Sequence, residues 1–99
     1  MSEAFASGNW CVNAGREEEF VGRWAEFLEW TRGSAPGLRS ARLIRDAEDP
    51  RHFISFANWD SAEAMSNWRS LPGFIEKLKA CRDLCEDFRA SSYTVAAAV

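Results

Sequence analysis

Hydrophobic side chains recur along the chain at spacings that distinguish helices from strands. The clearest helical face begins after three consecutive glutamates, a charge pattern that suits the positive end of a helix dipole. Its members keep the i, i+4, i+7, i+8, i+11 spacing of one buried face, and they are Phe20, Trp24, Phe27, Leu28 and Thr31. Gly33 and the turn Ala35-Pro36-Gly37 end this predicted helix.

Three segments around this helix have the composition of strands. Asn9–Asn13 precedes it, and Leu38–Asp46 and His52–Trp59 follow it, joined by a connection of hairpin length. A cap at Asp60 or Ser61 then predicts a short helix.

The C-terminal part predicts one more helix and one more strand. Pro72 breaks the short helix. A second apolar stripe at helical spacing follows, made of Phe74, Leu78, Cys81, Cys85 and Phe88, and Ser91–Val99 has strand composition. The resulting order, β-α-β-β-α-β, predicts an α+β, ferredoxin-like fold with an antiparallel sheet.

The strand His52–Trp59 has no face suited to water. Phe53, Ser55, Ala57 and Trp59 alternate with a set that includes Ile54 and Phe56. If helices cover one sheet face, a second copy of the same sheet is the simplest cover for the other. The pattern therefore predicts a homodimer enclosing a barrel-like core.

Composition narrows the classes of function. Ninety-nine residues suit a single domain over 1–99. A net charge of -3 disfavours a nucleic-acid partner, and no apolar run reaches the roughly 20 residues that span a bilayer. The first residues lack the basic and apolar regions of a signal peptide, so a cytoplasmic location is expected.

Few motifs for cofactors or metals are present. Cys11, Cys81, Cys85 and His52 make a poor zinc set, and the three cysteines suit reduced thiols. Phosphate loops, GxGxxG turns and Ser-His-Asp sets are missing, which leaves nucleotide and flavin cofactors without support. We therefore expect neither a metal nor a cofactor.

With these elements placed, nearly the whole chain resembles the antibiotic biosynthesis monooxygenase family of dimeric α/β barrels. The resemblance lies in four segments, which are Val12–Phe20, Ala35-Pro36-Gly37, Phe56–Ala64 and Leu71-Pro72-Gly73-Phe74. It implies the dimeric barrel, a small-molecule substrate and an oxygenase activity.

One group in that family oxidises polycyclic phenols with dioxygen and no cofactor. Its pattern has an Asn and a Trp at the end of the third strand, then a Tyr and an Arg. Trp59 matches this Trp, Ser55 stands at the Asn position and Met65 at the Tyr position. Lys79 lies near the Arg position.

A second group degrades haem with a strand Asn, a helix Trp and a helix His that binds iron. Asn9 and Trp68 fall at the first two places, but Leu78 occupies the His position. Leucine cannot bind iron, so the resemblance disfavours haem degradation.

The leading hypothesis is a cofactor-independent monooxygenase acting on a phenolic or polycyclic aromatic molecule. Its candidate residues are Trp59, Trp68 and Asn9 for catalysis, and Ser55, Met65, Lys79 and Trp24 for substrate binding. Arg69, like Lys79, could attract a phenolate, although solvation at the surface is the commoner role of such residues. The alternative is a non-catalytic dimer that binds a small hydrophobic ligand or serves as a structural module.

Overall fold

The computed structural model describes residues 3–99, which form four strands and three helices in the order β-α-β-β-α-α-β. The elements are β1 (Ala4–Val12), α1 (Glu17–Ser34), β2 (Leu38–Arg45), β3 (His52–Trp59), α2 (Ala62–Arg69), α3 (Phe74–Arg82) and β4 (Cys85–Thr94). The strands form one antiparallel sheet in the order β2-β3-β1-β4. The predicted α+β, ferredoxin-like fold is confirmed, with its second helical segment divided at Pro72.

The start of α2 shows how local sequence sets the element boundaries. The Ser61 hydroxyl accepts a hydrogen bond from the backbone N–H of Ala64 at 3.1 Å, as the predicted cap requires. Gly73 begins α3 with a φ of 96°, a left-handed conformation that favours glycine. Pro72 and Gly73 thus turn the chain between the two helices.

Three predicted boundaries were wrong. The last strand runs over Cys85–Thr94 rather than Ser91–Val99. The helix expected to include Cys85 and Phe88 ends at Arg82, because Cys85 pairs with Val12 and Phe88 with Trp10 across the sheet. The first strand starts at Ala4 rather than Asn9. Most side chains of residues 4–8 are small, which weakens the strand pattern in the sequence, although these residues alternate between buried and more exposed positions.

Strand alternation assigns the two faces of the sheet. Even-numbered residues of β1 and odd-numbered residues of β3 face the helices, and this layer contains the fully buried Trp10, Phe53 and Trp59. No helix covers the other face within residues 3–99, where Tyr93 and Ile44 are 55% and 48% exposed. Within the same range, none of the helices is long and apolar enough to cross a membrane.

Candidate functional site

An apolar cavity of about 80 Å³ lies between the helices and the sheet. Its walls come from every element of the fold. From the helices they include Trp24, Phe27, Leu28, Thr31, Trp68, Arg69, Phe74 and Leu78, and from the sheet Ala6, Gly8, Trp10, Leu38, Ala41, Ser55, Ala57, Phe88 and Ala90.

The cavity exists because two neighbouring rungs of the sheet carry small side chains. One rung joins Ala41, Ala57 and Ala6, and the next joins Ser55, Gly8 and Ala90, with the larger Leu43 only at its β2 end. Residues two apart on a strand lie roughly 7 Å apart on the same face. The two rungs therefore leave a trough beneath the helices that larger side chains would fill.

Aromatic rungs close the two ends of this trough. At one end Trp10 pairs with Phe53 and Phe88, and its ring stacks on Phe88 with centroids 4.0 Å apart. At the other end Trp59 pairs with Ala4 and Leu38. The large–small–small–large sequence of rungs fixes the position of the cavity.

Two hydroxyl groups in the lining are oriented by tryptophans. The Trp10 indole donates to Ser55 Oγ at 2.9 Å, and the Trp68 indole donates to Thr31 Oγ1 at 3.0 Å. A hydroxyl that accepts one hydrogen bond retains its own proton for another acceptor. Ser55 and Thr31 can therefore donate to an oxygen atom of a bound ligand.

Trp68 is the centre of the aromatic wall. Its ring centroid lies 4.9 Å from those of Trp59 and Phe74 and 5.8 Å from that of Phe27. Trp59 lies behind it with no exposed surface, and the Trp59 Nε1 has no hydrogen-bond partner among residues 3–99. Trp59 thus supports the wall that Trp68 presents to the cavity.

Arg69 supplies the one charged side chain in the described lining. Partial burial lowers the pKa of its guanidinium, and its Nη1 donates to Ser92 Oγ at 2.9 Å. Within residues 3–99 the lining contains no carboxylate, imidazole or thiol. The cavity can therefore bind and orient a ligand, but its lining offers no ordinary side-chain base.

The structure brings three of the predicted site residues together. Trp24, Ser55 and Trp68 line the cavity, whereas Trp59, Met65, Asn9 and Lys79 are outside its lining. Of these four, Trp59 and Met65 are buried in the hydrophobic core.

Asn9 and Lys79 are placed elsewhere by strand and helix geometry. Asn9 is an odd-numbered residue of β1, so it lies on the helix-free face, where His52 Nε2 is 2.9 Å from its Oδ1. Lys79 follows Leu78, which lines the cavity, and instead forms an exposed ion pair with Asp83 at 2.7 Å. Their predicted roles stay untested.

Several lining residues were not among the predicted site residues. The most informative are Gly8, Thr31 and Phe27, from β1 and α1. The alternation of Ala4, Ala6 and Gly8 before Trp10 was the available signal for a floor of small side chains. The hydrogen bond between Trp68 and Thr31 had no local signal, because 37 positions separate the two residues.

The cysteines lie outside the lining. Burial raises the pKa of the Cys81 thiol to about 12 and that of the Cys85 thiol to about 11. Both thiols are therefore protonated and unreactive near neutral pH. Among residues 3–99, no three His, Cys, Asp or Glu side chains are grouped as ligands for a metal ion.

A sequence model described as antibiotic biosynthesis monooxygenase matches residues 6–84, most of the chain. The chain belongs to this family. Leu78, which the resemblance places at the iron-binding His position of the haem-degrading group, lies in the cavity lining. A search of curated proteins found no match.

Solved structures with low sequence identity share the fold. A variant of SnoaB, a cofactor-independent oxygenase from Streptomyces nogalater, has a TM-score of 0.91 at 20% identity, covering 100% of this chain and 98% of that one. A candidate antibiotic biosynthesis monooxygenase from Deinococcus radiodurans has a TM-score of 0.83 at 22% identity, covering 97% and 95%. A conserved protein from Methanosarcina mazei has a TM-score of 0.83 at 14% identity, covering 94% and 92%.

Proposed function

We propose that this protein is a cofactor-independent monooxygenase that oxidises a phenolic or polycyclic aromatic molecule with dioxygen. The ligand's ring lies between the small side chains of the sheet and the Trp24 and Trp68 side chains. Membership of the monooxygenase family supports the class of reaction. The class of substrate is inferred from the apolar and aromatic lining of the cavity.

The observation that carries the proposal is the pair of hydroxyls oriented by indole groups. Ser55 and Thr31 each accept an indole N–H and line an otherwise apolar, aromatic space. Such donors stabilise an oxygen atom on which negative charge develops during reaction. Because Trp10 and Trp68 hold these hydroxyls in place, little reorganisation is needed when the charge appears.

The proposed reaction needs no group beyond the substrate and dioxygen. An ionised phenolic substrate passes an electron to dioxygen, and the two radicals combine at a ring carbon. For a methylene substrate such as anthrone, one oxygen atom becomes the new carbonyl. The other leaves as water with both methylene hydrogens. The protein excludes solvent, orients the ring and donates hydrogen bonds to the substrate's oxyanion.

The cavity volume bears on how the ligand binds. At about 80 Å³ it is well below the roughly 300–1,000 Å³ of typical ligand pockets. A polycyclic ligand therefore places one ring inside and extends out of the cavity, or displaces lining side chains. Trp24 and Leu28, which line the cavity from α1, are only partly buried and are therefore suited to move.

The alternative of a non-catalytic ligand-binding protein has one specific observation in its favour. The described lining contains no side-chain base, so the substrate has to enter ionised or lose its proton to water. A protein that only binds a hydrophobic ligand needs no such group. Turnover, rather than binding, distinguishes the two functions.

Oxygen consumption with anthrone tests the proposal. We expect turnover above the uncatalysed rate, and a double variant Thr31→Val with Ser55→Ala should lose roughly a hundredfold or more in kcat, as when oxyanion donors are removed elsewhere. Ser91→Ala is the matched control, because Ser91 lies on the helix-free face of β4. Ligand binding without turnover by the unaltered protein would favour the alternative.

We also propose that the helix-free face pairs two copies into a homodimeric α/β barrel. Phe5, Ile44, Ile54 and Tyr93 lie on this face, and Ile44 and Tyr93 are exposed apolar side chains. Light scattering should report twice the chain mass of 11.2 kDa. Ile44→Glu should yield monomers, whereas Ile75→Glu on α3, where Ile75 is 67% exposed, should not. A monomeric unaltered protein would refute the dimer.

A further inference from the structure

Arg69 is unusual among the arginines because it lines the cavity. It is the last residue of α2 and directly follows Trp68. Its Nη1 reaches across to Ser92 on β4, the edge strand of the sheet. The guanidinium therefore lies where the cavity meets solvent.

In the part of the chain that the structure describes, no carboxylate forms an ion pair with Arg69. Arg16, Arg23 and Arg51, in contrast, each pair with a glutamate. Burial disfavours its charged form, as the lowered pKa records. A partly desolvated cation without a counterion is unfavourable, and an anion brought by a ligand would relieve it.

The geometry of a guanidinium fits an anionic oxygen group. Its five N–H donors lie in one plane, and the hydrogen bond to Ser92 uses one of them. The remaining donors can meet two oxygens of a carboxylate or the single oxygen of a phenolate. The adjacent cavity is apolar, so such a ligand would have an aromatic body and one charged end.

We propose that Arg69 binds the anionic oxygen group of an aromatic ligand whose ring occupies the cavity. The inference rests on the ligand-binding cavity of the proposed function and adds the class of substrate: an aromatic carboxylate or an ionised phenol. It also explains how an ionised substrate is held in a lining that lacks a base. Ionisation of a phenol is favoured when the resulting charge lies beside a guanidinium.

Binding of uncharged and charged probes tests this role without requiring turnover. Naphthoate and naphthamide share a ring and shape but differ in charge, and both can be titrated by quenching of the tryptophan fluorescence. We expect the unaltered protein to prefer naphthoate by about tenfold to a hundredfold, as charge-assisted hydrogen bonds provide. Naphthol tests whether the ligand is an ionised phenol. If Arg69 binds its phenolate oxygen, the apparent pKa of naphthol should fall when it is bound.

Three variants distinguish the effect of the positive charge at position 69 from the effects of side-chain shape and of the net charge of the protein. Arg69→Gln should abolish the preference for naphthoate and the shift in the pKa of naphthol, with the affinity for naphthamide unchanged. Arg69→Lys should keep part of the preference, which a merely structural role would not predict. Arg82→Gln removes an exposed arginine of α3 outside the cavity lining and should change neither quantity.

The outcomes distinguish this inference from the proposed function. Equal affinities for naphthoate and naphthamide, with no shift in the pKa of naphthol, overturn the role of Arg69 and leave the cavity's function standing. An equal loss for both probes in Arg69→Gln also overturns it, since the residue would then act on folding or shape. If no probe binds the unaltered protein, both the role of Arg69 and the proposal that the cavity binds an aromatic ligand are refuted.

Discussion

Replacing Gly8 by alanine tests how tightly the floor of the cavity is built. A Cβ at this position would lie 2.6 Å from Trp10 Nε1 and 2.8 Å from Ser55 Oγ. Both atoms belong to the same buried hydrogen bond, and the Trp10 ring is a rigid group with only 2% exposure. The added methyl group therefore has to displace either the indole or the hydroxyl.

The expected cost follows from these contacts. Overpacking against buried side chains costs about 1–3 kcal/mol, and a buried indole N–H that loses its acceptor costs about 1–3 kcal/mol. The smaller entropy of the unfolded alanine chain offsets about 0.4–1 kcal/mol. We expect a net loss of about 3 kcal/mol, which lowers the Tm of a domain this size by roughly 12–24 °C.

Thermal and urea unfolding followed by circular dichroism measure this change. The matched control is Gly22→Ala in α1, where no heavy atom of residues 3–99 outside the local helix lies within 4 Å of the added Cβ. This control should gain about 0.8–1 kcal/mol, because alanine favours a helix interior. If Gly8→Ala is neutral or stabilising, the inferred packing of Trp10 against Ser55 is incorrect.

Three further predictions concern the supports of the site. Ser61→Ala should lower the free energy of unfolding in urea by about 1 kcal/mol through loss of the α2 cap; an equal loss in Ser66→Ala on the same helix would contradict the cap. Thr31→Val should cost about 1–3 kcal/mol by leaving the Trp68 N–H unpaired. Trp68→Phe should then cost about 1 kcal/mol less in that background than alone, and strict additivity in a double-mutant cycle would refute the bond. Burial raises the pKa of Cys81 from 9.0 to about 12, so its stabilising effect is complete below pH 9 and is lost as the pH rises towards 12. Between pH 8 and 11, the free energy of unfolding in urea should therefore fall less steeply with pH in Cys81→Ala than in the unaltered protein. Equal slopes for the two proteins would contradict the raised pKa.

The fold was largely predictable from the sequence, because most elements carry strong local patterns. The apolar face of α1 and the alternation in β3 are visible without tertiary information. The error at Cys85 and Phe88 has a physical cause. Residues 81, 85 and 88 keep a helical spacing, but pairing of Phe88 with Trp10 in the sheet overrides that local preference.

The candidate site was less predictable, since it depends on register. Trp24 and Trp68 are large aromatics that sequence alone singles out, and both line the cavity. The floor depends on which small residues lie opposite one another, and Gly8 meets Ser55 and Ala90 only once three strands are aligned. Because side chains alternate along a strand, Asn9, the residue after Gly8, lies on the opposite face of the sheet.

The two rungs of small side chains also have a thermodynamic consequence. They leave part of the hydrophobic core unfilled, and a bound ligand would supply the missing contacts. A ligand that binds only the folded chain raises its stability by about 2.7 kcal/mol at a hundred times its Kd. The melting temperature is therefore itself a readout of ligand identity, and a thermal-shift screen of aromatic acids and phenols can find the natural ligand before any reaction is known.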